Sequence, residues 1–427
     1  MEKLEEPVII VGVDWATEHH DVCIMLPNGE VKEEFQIEHS ADGLTELLTK
    51  LVGYSPGRES LVHVGIEVPH GVVVETLMER GVAVFSINPK QLDRFRDRFS
   101  MAGCKDDRLD ARVLASSLRT DAPCFRRLRA IPETIVRLRE WSRILDDLKD
   151  DRVRLSNRLR EQLRRYYPQF LEVHQDLSAS WLLDLWELAP TPADGARIAL
   201  PAVETLLKER RIRKVTGSRV LAILGQRAVT VAPGTVEAAQ AHIQVLIAQL
   251  RVVQTQVRLA EGQLDTILDE LVAPKAEESP GQLVEQRDAA ILRTLPGIGR
   301  IVLATLLAEA LTVLDARDYH GLRALSGVAP VTKRSGKTRN VLMRRACNER
   351  LREATYHWAR VAMQHDDLAK AAYAAIRKRG NSHGRALRTV ADRLMSVAVA
   401  MLRTGTAYDP SKRRSLRDAA DPERLAA

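Results

Sequence analysis

The sequence of 427 residues predicts an α/β domain, then a long α-helical coiled coil, then a mostly α-helical domain. Three patterns support this prediction. Short runs rich in Val and Ile alternate with helical patterns over residues 7–114, apolar residues recur every three or four positions between 131 and 285, and further helical patterns cover 286–405. The predicted domains are therefore residues 1–125, 126–285 and 286–405, and the polar, basic segment 406–427 is predicted to be disordered.

Composition and charge narrow the class of partner. The formal net charge is +7, and a positive field concentrates polyanions, so the balance favours a nucleic acid over a membrane or an acidic metabolite. The four cysteines are far apart and form no CxxC pair, which indicates neither a zinc knuckle nor a disulfide framework. The amino end lacks the apolar region of a signal peptide, and no apolar run reaches the roughly 20 residues of a membrane span. We therefore expect a cytoplasmic protein.

The order of elements in the first domain predicts its sheet. Strands are expected at 7–14, 20–26, 30–37, 61–67 and 82–87, and helices at 41–51, 71–80 and 105–114. The order β-β-β-α-β-α-β-α predicts a mixed sheet with helices on both faces. The ribonuclease H-like fold has this order, and its first and fourth strands are neighbours. In that fold Asp14 and Glu67 end adjacent strands.

Four acids form the candidate metal site. Asp14 and Glu67 each end an apolar run, and Asp107 and Asp110 lie three residues apart on one face of a predicted helix. Converging carboxylates repel one another, and a hard dication such as Mg²⁺, or Mn²⁺ in its place, relieves the repulsion. Two such ions about 4 Å apart activate a nucleophile and stabilise the leaving oxygen in phosphodiester chemistry. Taken singly, these acids also fit a turn cap, a loop acid and a solvated helix face.

A second candidate for chemistry is Ser335. A serine hydroxyl is a weak nucleophile without help, and the cations around it can hold a phosphate and stabilise developing charge. Gly336 permits close approach of a phosphate to the backbone. The alternative is a basic surface turn that grips phosphate without reacting. The neighbouring cations are Lys333, Arg334, Lys337 and Arg339.

The helical regions carry further candidate nucleic-acid contacts. The apolar seam fits either an antiparallel hairpin within one chain or a dimer between chains. Arg154 and Arg158 lie in an arginine-rich helix that is either a solvated face or a track for a nucleic-acid backbone. Gly297 and Gly299 belong to an LPGIG turn that resembles a helix-hairpin-helix element, whose backbone N–H groups contact DNA phosphate, although a plain interhelical turn is the alternative. Two further cations, Lys105 and Arg108, lie close to Asp107 in the sequence and are also candidate nucleic-acid contacts.

These motifs together resemble a known family. The segments IVGVDWA, VGIEVPHG, INPKQ and KDDRLDARVLA, with LPGIGRIVLATLLAE and LSGVAPVTKRSGKTRN, resemble the DEDD transposases named after insertion sequence one hundred and ten, which are described as bridge-RNA-guided recombinases. The resemblance implies a RuvC-like, Mg²⁺-binding first domain with Asp14, Glu67, Asp107 and Asp110 as its acids. It implies a catalytic serine at Ser335 that forms a phosphoserine intermediate with DNA, and acids supplied by a partner subunit.

The expected function is therefore that of a DNA transposase that mobilises its own insertion sequence. The expected partners are DNA at the element ends and the target, a bridge RNA encoded by the element, and further copies of the chain in a dimer or tetramer joined through the coiled coil. One alternative is a DNA invertase or a Holliday-junction resolvase-like nuclease in which the acids alone perform hydrolysis. Another is a non-catalytic nucleic-acid-binding scaffold.

Overall fold

The chain forms two compact units, residues 1–131 and 132–427. The structure is a computed structural model that describes residues 5–98, 107–273, 284–335 and 338–411, with the side chains of 107, 284–286 and 339 left out. Among the helices of these ranges, none combines the length and the apolar composition needed to cross a bilayer. Lys105, Gly336, Lys337 and the predicted tail beyond residue 411 lie outside the described residues.

The first unit has the mixed α/β architecture that the sequence predicted. Three strands come first, and strands then alternate with helices. The elements in chain order are β1 (Ile9–Asp14), β2 (His19–Met25), β3 (Val31–Glu38), α1 (Ala41–Tyr54), β4 (Val62–Ile66), α2 (Val72–Glu79), β5 (Ala83–Ser86), α3 (Pro89–Arg96), α4 (Asp107–Asp121) and β6 (Arg126–Arg127). The short strand β6 and the helix α3 are additions to the predicted set.

Strand β1 lies inside the six-stranded sheet, whose order is β3-β2-β1-β4-β5-β6. It pairs antiparallel with β2 and parallel with β4, so the first and fourth strands are neighbours as the sequence predicted. Alternate side chains of a strand point to opposite faces. Ile9, Val11 and Val13 enter the core beneath α1 and α2, whereas Ile10 enters the core on the α4 face. Asp14 therefore shares the α4 face of the sheet.

Helix α4 approaches the sheet closely because β1 has a glycine beneath it. A Cβ atom at Gly12 would lie 1.8 Å from the carbonyl oxygen of Ala111 and 2.7 Å from the amide nitrogen of Ala115. No side chain fits in this space, so only glycine lets the helix backbone rest on the strand. This contact fixes the height of α4, and with it the carboxylate of Asp110, above the sheet.

The second unit is mostly helical, with one two-stranded sheet. Its two longest helices are separated by a group of shorter ones, and a second helical group with a β-hairpin follows. The elements are α5 (Glu133–Tyr166), α6 (Ser180–Leu188), α7 (Pro192–Arg197), α8 (Leu200–Glu209), α9 (Gly217–Leu224), α10 (Thr235–Val272), α11 (Val284–Arg293), α12 (Arg300–Asp315), α13 (Tyr319–Leu325), β7 (Val331–Ser335), β8 (Thr338–Leu342), α14 (Glu349–His365), α15 (Asp367–Lys378) and α16 (His383–Thr404).

The long helices α5 and α10 pack against each other within the chain. Arg137 lies 3.5 Å from Glu270, and Arg158 lies 3.3 Å from His242, so the two helices run antiparallel. Leucines of the predicted seam are buried between them. The structure thus selects the hairpin within one chain from the two arrangements that the sequence left open.

The second helical group packs against the N-terminal half of α5. Glu309 on α12 accepts a hydrogen bond from Arg143 of α5 at 3.1 Å and another from the side-chain amide of Asn348 at 2.8 Å. The oxygen of the same Asn348 side chain accepts from the amide of Leu351 and caps α14. One asparagine and one glutamate therefore connect three helices of this unit. The predicted boundary at residue 285 stays a prediction.

Candidate active site and nucleic-acid interface

Asp14 and Glu67 lie at neighbouring strand ends. Asp14 is the last residue of β1, and Glu67 directly follows β4, where the register pairs Val13 with Ile66. The side chains of Asp14 and Glu67 fall on the α4 face by the alternation of each strand. Asp21 on β2 stands directly opposite Asp14, so a further acid that the sequence analysis did not select shares this face.

Asp110 is buried beneath α4, and a guanidinium group holds it. Its side chain is only 4% exposed, and its two oxygens accept hydrogen bonds from Nε and Nη2 of Arg96 at 2.6 and 2.8 Å. A buried carboxylate requires such a partner, because an uncompensated charge in this environment is costly. The hydrogen bond with Asp110 raises the pKa of Arg96, and the charges of Asp110, Asp93 and Glu67 act in the same direction.

The acids fit a divalent metal in their chemistry. Carboxylate oxygens are the ligands that Mg²⁺ prefers, and Asp14, Glu67 and Asp110 come to the same side of the sheet. Among the residues whose side chains are described, no three metal-ligating groups are close enough to hold an ion. The side chain of Asp107 lies outside the described set, and a guanidinium already compensates the charge of Asp110. The donor set fits the ion, whereas the metal roles of these residues stay predictions.

No pattern in the sequence indicates Arg96 as part of the site. It lies on α3, within a basic segment that the sequence shows between residues 90 and 98. A run of cations contains no signal of which one will reach a buried acid. The contact depends on the packing of α3 against α4, which brings together residues 14 positions apart.

The loop after Asp14 is ordered by two histidines and a tryptophan. The amide of Ala16 donates to Nδ1 of His20 at 3.3 Å, and Nε2 of His20 lies 2.8 Å from Nδ1 of His39. The exposed ring of Trp15 stacks on His20 with a centroid distance of 6.3 Å. Burial lowers the pKa of His20, and the charges of His39 and His19 lower it further. The neutral imidazole can therefore hold this loop at neutral pH.

Ser335 lies at the exposed end of the β-hairpin in the second unit. It is the last residue of β7 and pairs with Thr338 across the turn. Lys333 and Arg334 are also exposed, and together with Thr332, Thr338 and Asn340 these residues line a shallow cleft of about 600 Å³. Within the described residues, no hydrogen bond reaches the hydroxyl of Ser335. The hairpin thus presents a serine beside two cations, and its catalytic role stays a prediction.

The arginines predicted to follow nucleic acid occur on the exposed side of α5. Arg154 forms an ion pair with Asp151, and Arg158 contacts His242 of α10. Arg154 is 68% exposed, so its ion pair leaves the guanidinium accessible. Arg108 is exposed at the start of α4 and has a partner of its own. These positions are compatible with backbone contacts, which stay predictions.

The two glycines of the LPGIG turn differ in their surroundings. Gly297 has a φ of 76°, and a Cβ atom there would lie 2.5 Å from the amide nitrogen of Ala362. The indole of Trp358 donates to the carbonyl oxygen of Pro296 at 2.9 Å, which fastens the turn to α14. Gly299 is exposed and has open space around its Cα. Packing therefore explains the first glycine, and a phosphate contact remains predicted for the second.

Comparisons with known proteins identify two family profiles that match separate parts of this chain. Residues 11–168 match the profile of DEDD transposases of the IS110 type, and residues 289–374 match the profile described as "Transposase IS116/IS110/IS902 family". The chain is 53% identical over 204 residues to the candidate transposase y4uE of Sinorhizobium fredii, covering 48% of this chain and 57% of that protein. It is 30% identical over 412 residues to the candidate transposase of the IS117 mini-circle of Streptomyces coelicolor, covering 95% of this chain and 96% of that protein.

The mixed sheet with its strand-end acids and the helical second unit, together with these matches, define a DNA transposase of bacterial insertion sequences. The chain belongs to the IS110 family of transposases. The family predicted from the sequence motifs is thereby confirmed.

Proposed function

We propose that this transposase cleaves and rejoins DNA to mobilise its own insertion sequence, using Mg²⁺-binding acids and Ser335 as nucleophile. The observation that supports it most is that Asp14, Glu67 and Asp110 lie on the same side of one sheet, the side covered by α4. The strand order with β1 between β2 and β4 supports a ribonuclease H-like, RuvC-like fold for the first unit. Asp107, one helical turn before Asp110, is the proposed fourth acid.

The acids act by holding the reacting groups in place. Mg²⁺, or Mn²⁺ in its place, supplies Lewis-acid stabilisation of phosphoryl oxygens when it is bound. Asp14 ends a paired strand, Glu67 directly follows another, and Asp110 lies on a helix that rests on the sheet, so the fold restrains all three positions. Because these groups are already in position, little free energy is needed to reorganise the site during the reaction.

Ser335 carries the covalent step in this proposal. Its Oγ attacks the phosphorus of a DNA phosphodiester, the Oγ–P bond forms, the bond from phosphorus to one sugar oxygen breaks, and the serine proton goes to that oxygen. Attack of a sugar hydroxyl from another strand then reverses the process and restores the serine. Lys333 and Arg334 lie beside Ser335 and can stabilise the developing charge, with Lys337 and Arg339 as further proposed contacts.

The proposed assembly is a homo-oligomer, a dimer or tetramer, that works in the cytoplasm with a bridge RNA. The apolar seam of α5 and α10 is buried within the chain, so self-association through the proposed coiled coil uses other faces of these helices. In this proposal the acids of one copy act together with Ser335 of another. The exposed cations Arg108, Arg154 and Arg158 supply backbone contacts to DNA or RNA.

One observation favours a second candidate, which is a nuclease of the invertase or resolvase kind. The described part of the chain provides no base that hydrogen bonds to Ser335, so the acids alone would activate water and Ser335 would only grip phosphate. This candidate predicts cleavage without a covalent intermediate.

A cleavage assay on DNA with one labelled strand distinguishes the serine mechanism from hydrolysis by the acids alone. We expect Ser335→Ala to abolish both the covalent protein–DNA adduct and strand joining, while DNA binding stays close to wild type. The matched variant Val341→Ala changes an exposed residue of the neighbouring strand, outside the cleft around Ser335, and should retain both. Nicking that survives Ser335→Ala at the wild-type rate would replace the serine mechanism with hydrolysis.

The RNA partner is tested by sequencing the RNA that copurifies with the protein. We expect one structured species encoded beside the gene. A random sample of cellular transcripts would contradict RNA guidance and would leave the assignment of the acids and Ser335 unaffected.

A further inference from the structure

A second cleft of the C-terminal helical group lies at the base of the hairpin that carries Ser335. It has a volume of about 500 Å³ and lies between α14 and the beginning of α16. Met343, which directly follows β8, and Val328, which shortly precedes β7, line its hairpin side. This volume falls in the range of about 300–1,000 Å³ typical of small-molecule sites. None of the residues predicted to act in catalysis lines this cleft.

The cleft presents an aromatic ring to solvent. Tyr356 on α14 is 39% exposed, and its ring meets the imidazole of His357 edge to face at a centroid distance of 5.5 Å. Met343 is 50% exposed at the same cleft. A partly exposed aromatic ring next to apolar atoms is the kind of surface on which a nucleobase stacks.

The cleft also contains a cation without an ion-pair partner. Arg388 on α16 is partly buried in the lining, and no described acidic side chain forms an ion pair with it. Among the other charged groups of the lining, Arg352 bonds Glu349 at 3.0 Å, and the carboxylate of Glu353 lies 3.6 Å from the imidazole of His357 and forms no ion pair with Arg388. A ligand that brings one negative charge would balance Arg388. A nucleotide unit combines that charge, on its phosphate, with a flat aromatic base.

The edge of the cleft at the beginning of α16 leaves room for an approaching group. Gly384 has open space where a side chain would extend, and the lining includes the buried Thr355 and Ser326. The hydroxyls of Thr355 and Ser326 donate to the backbone carbonyls of Arg352 and Leu322, so these buried groups are already satisfied and require nothing from a ligand. These features suit a bound base better than a second protein surface, which would need a larger apolar area.

We propose that this cleft binds one unpaired nucleotide of the DNA strand that reaches Ser335, with the base stacked on Tyr356 and its phosphate at Arg388. The proposal rests on the proposed role of the hairpin. A five-residue strand such as β8 spans about 16 Å at 3.3 Å per residue, which is the length of about five stacked nucleotides at 3.4 Å per step. The bound nucleotide would lie a few positions from the phosphate attacked by Ser335.

The test uses the full-length protein and a single-stranded DNA 12-mer that contains one 2-aminopurine. Base–aromatic stacking corresponds to about a five- to 150-fold change in affinity per base, so Tyr356→Ala should weaken binding at least about fivefold. Tyr356→Phe retains the stacking face and should bind as wild type. The matched control Tyr373→Ala removes a tyrosine from another tyrosine–histidine pair, outside the cleft, and should leave binding unchanged.

The phosphate contact has a separate readout in the salt dependence. Arg388→Gln should reduce the slope of log affinity against log salt by about 0.7, the value for one phosphate contact in a single strand. Lys370→Gln removes one exposed positive charge elsewhere in the same unit and should leave the slope unchanged. Circular dichroism and melting of each variant establish that the protein is folded before binding is compared.

Several results would overturn the proposal. Equal affinities of wild type and Tyr356→Ala would exclude stacking at this cleft, and an unchanged salt slope in Arg388→Gln would exclude the phosphate contact. Competition by thymidine monophosphate at concentrations that match the 12-mer would assign the cleft to free nucleotides. Tighter binding of an RNA 12-mer of the same sequence would assign it to RNA.

Different results distinguish failure of the nucleotide-binding cleft from failure of the serine mechanism. Loss of the covalent adduct in Ser335→Ala, together with binding that does not depend on Tyr356, would reject the cleft and retain the serine mechanism. Binding that depends on Tyr356, without any adduct in the wild type, would retain the cleft and reject the serine mechanism.

Discussion

The guanidinium group of Arg96 holds both carboxylate oxygens of the buried Asp110, at 2.6 and 2.8 Å. One of the acids predicted to bind metal is thus held by an internal cation. The pair joins α3 to α4, and the charge of Glu67 also acts on Arg96. The guanidinium of Arg96 and a metal ion from solution would both compensate the charge of Asp110. We therefore expect the free energy of unfolding and the affinity for metal to be coupled at this position.

Replacement of Arg96 is the direct test of this coupling. Arg96→Gln leaves Asp110 buried without its cation, and we expect a loss of about 3 kcal/mol in the free energy of unfolding in the absence of Mg²⁺. Because Mg²⁺ would then compensate the same carboxylate, millimolar Mg²⁺ should restore more stability to this variant than to wild type. Thermal and urea unfolding with and without Mg²⁺ measure both effects.

The matched control is Arg94→Gln, which removes an exposed cation of the same helix. Its unfolding should follow that of wild type with and without Mg²⁺. If Mg²⁺ stabilises Arg96→Gln no more than Arg94→Gln, Asp110 is not a metal ligand.

The close contact between α4 and β1 leads to a prediction for Gly12. Gly12→Ala places a Cβ atom where the carbonyl oxygen of Ala111 lies, so α4 must move away from the sheet and take Asp110 with it. Overpacking of this kind lowers the free energy of unfolding by about 1–3 kcal/mol. Because the substitution also displaces Asp110, we expect the rate of DNA cleavage to fall further than the loss of folded protein alone would explain. Unfolding curves and cleavage rates measured on the same preparation provide the comparison.

Gly53→Ala is the control for that substitution. Gly53 lies in α1, and nothing lies within 4 Å of an added Cβ atom, so this variant should be at least as stable as wild type and fully active. Normal cleavage by Gly12→Ala would contradict the importance of the α4 position.

The interhelical carboxylate Glu309 predicts a pH dependence of stability. Burial alone would raise its pKa, but hydrogen bonds from Arg143 and Asn348 outweigh burial and lower it below the ordinary value of 4.5. A pKa lower in the folded than in the unfolded state stabilises the protein above pH 4.5, and this contribution is lost as the pH falls through the folded pKa. Glu309→Gln should cost about 1–3 kcal/mol at pH 7.

The difference in unfolding free energy between wild type and Glu309→Gln should therefore shrink below pH 4.5. Urea unfolding from pH 7 to pH 3 measures it, with Glu161→Gln as a control in an exposed ion pair. A difference that stays constant over this range would show that the charge of Glu309 is not what the two donors stabilise.

The LPGIG turn permits a comparison of two glycines in one motif. Gly297→Ala forces a side chain into the backbone of α14 at a positive φ, so it should destabilise the protein by about 1–3 kcal/mol. Gly299→Ala meets no neighbour and should unfold like wild type.

Gly299→Ala then reports on DNA contact without a change in folding. If the amides near Gly299 hold phosphate, DNA affinity should fall in this variant at unchanged melting temperature. Unchanged affinity would make the turn purely structural, in keeping with the interhelical alternative.

Local patterns were sufficient to predict the order of elements and part of the candidate site. Asp14 and Glu67 end apolar runs, and an apolar run followed by an acid is visible without any knowledge of the fold. The order of strands and helices then placed β1 beside β4, and the structure confirms this pairing. Arg96 could not be found in the same way, because its partner is defined by the packing of two helices.

The sequence by itself determined the class of fold, the family and the identity of the candidate acids and serine, because these depend on short-range periodicity and on motifs that are contiguous in the chain. Only the tertiary structure decided that α5 and α10 pair within one chain, that Arg96 holds Asp110, and that Gly297 packs on α14 while Gly299 faces solvent. The spacing of an apolar seam is the same whether its partner helix belongs to the same chain or to another. A charged side chain has many residues of opposite charge in the sequence with which it could pair. Packing resolves both ambiguities, because it brings α10 against the seam of α5 and α3 against α4, where Arg96 reaches Asp110.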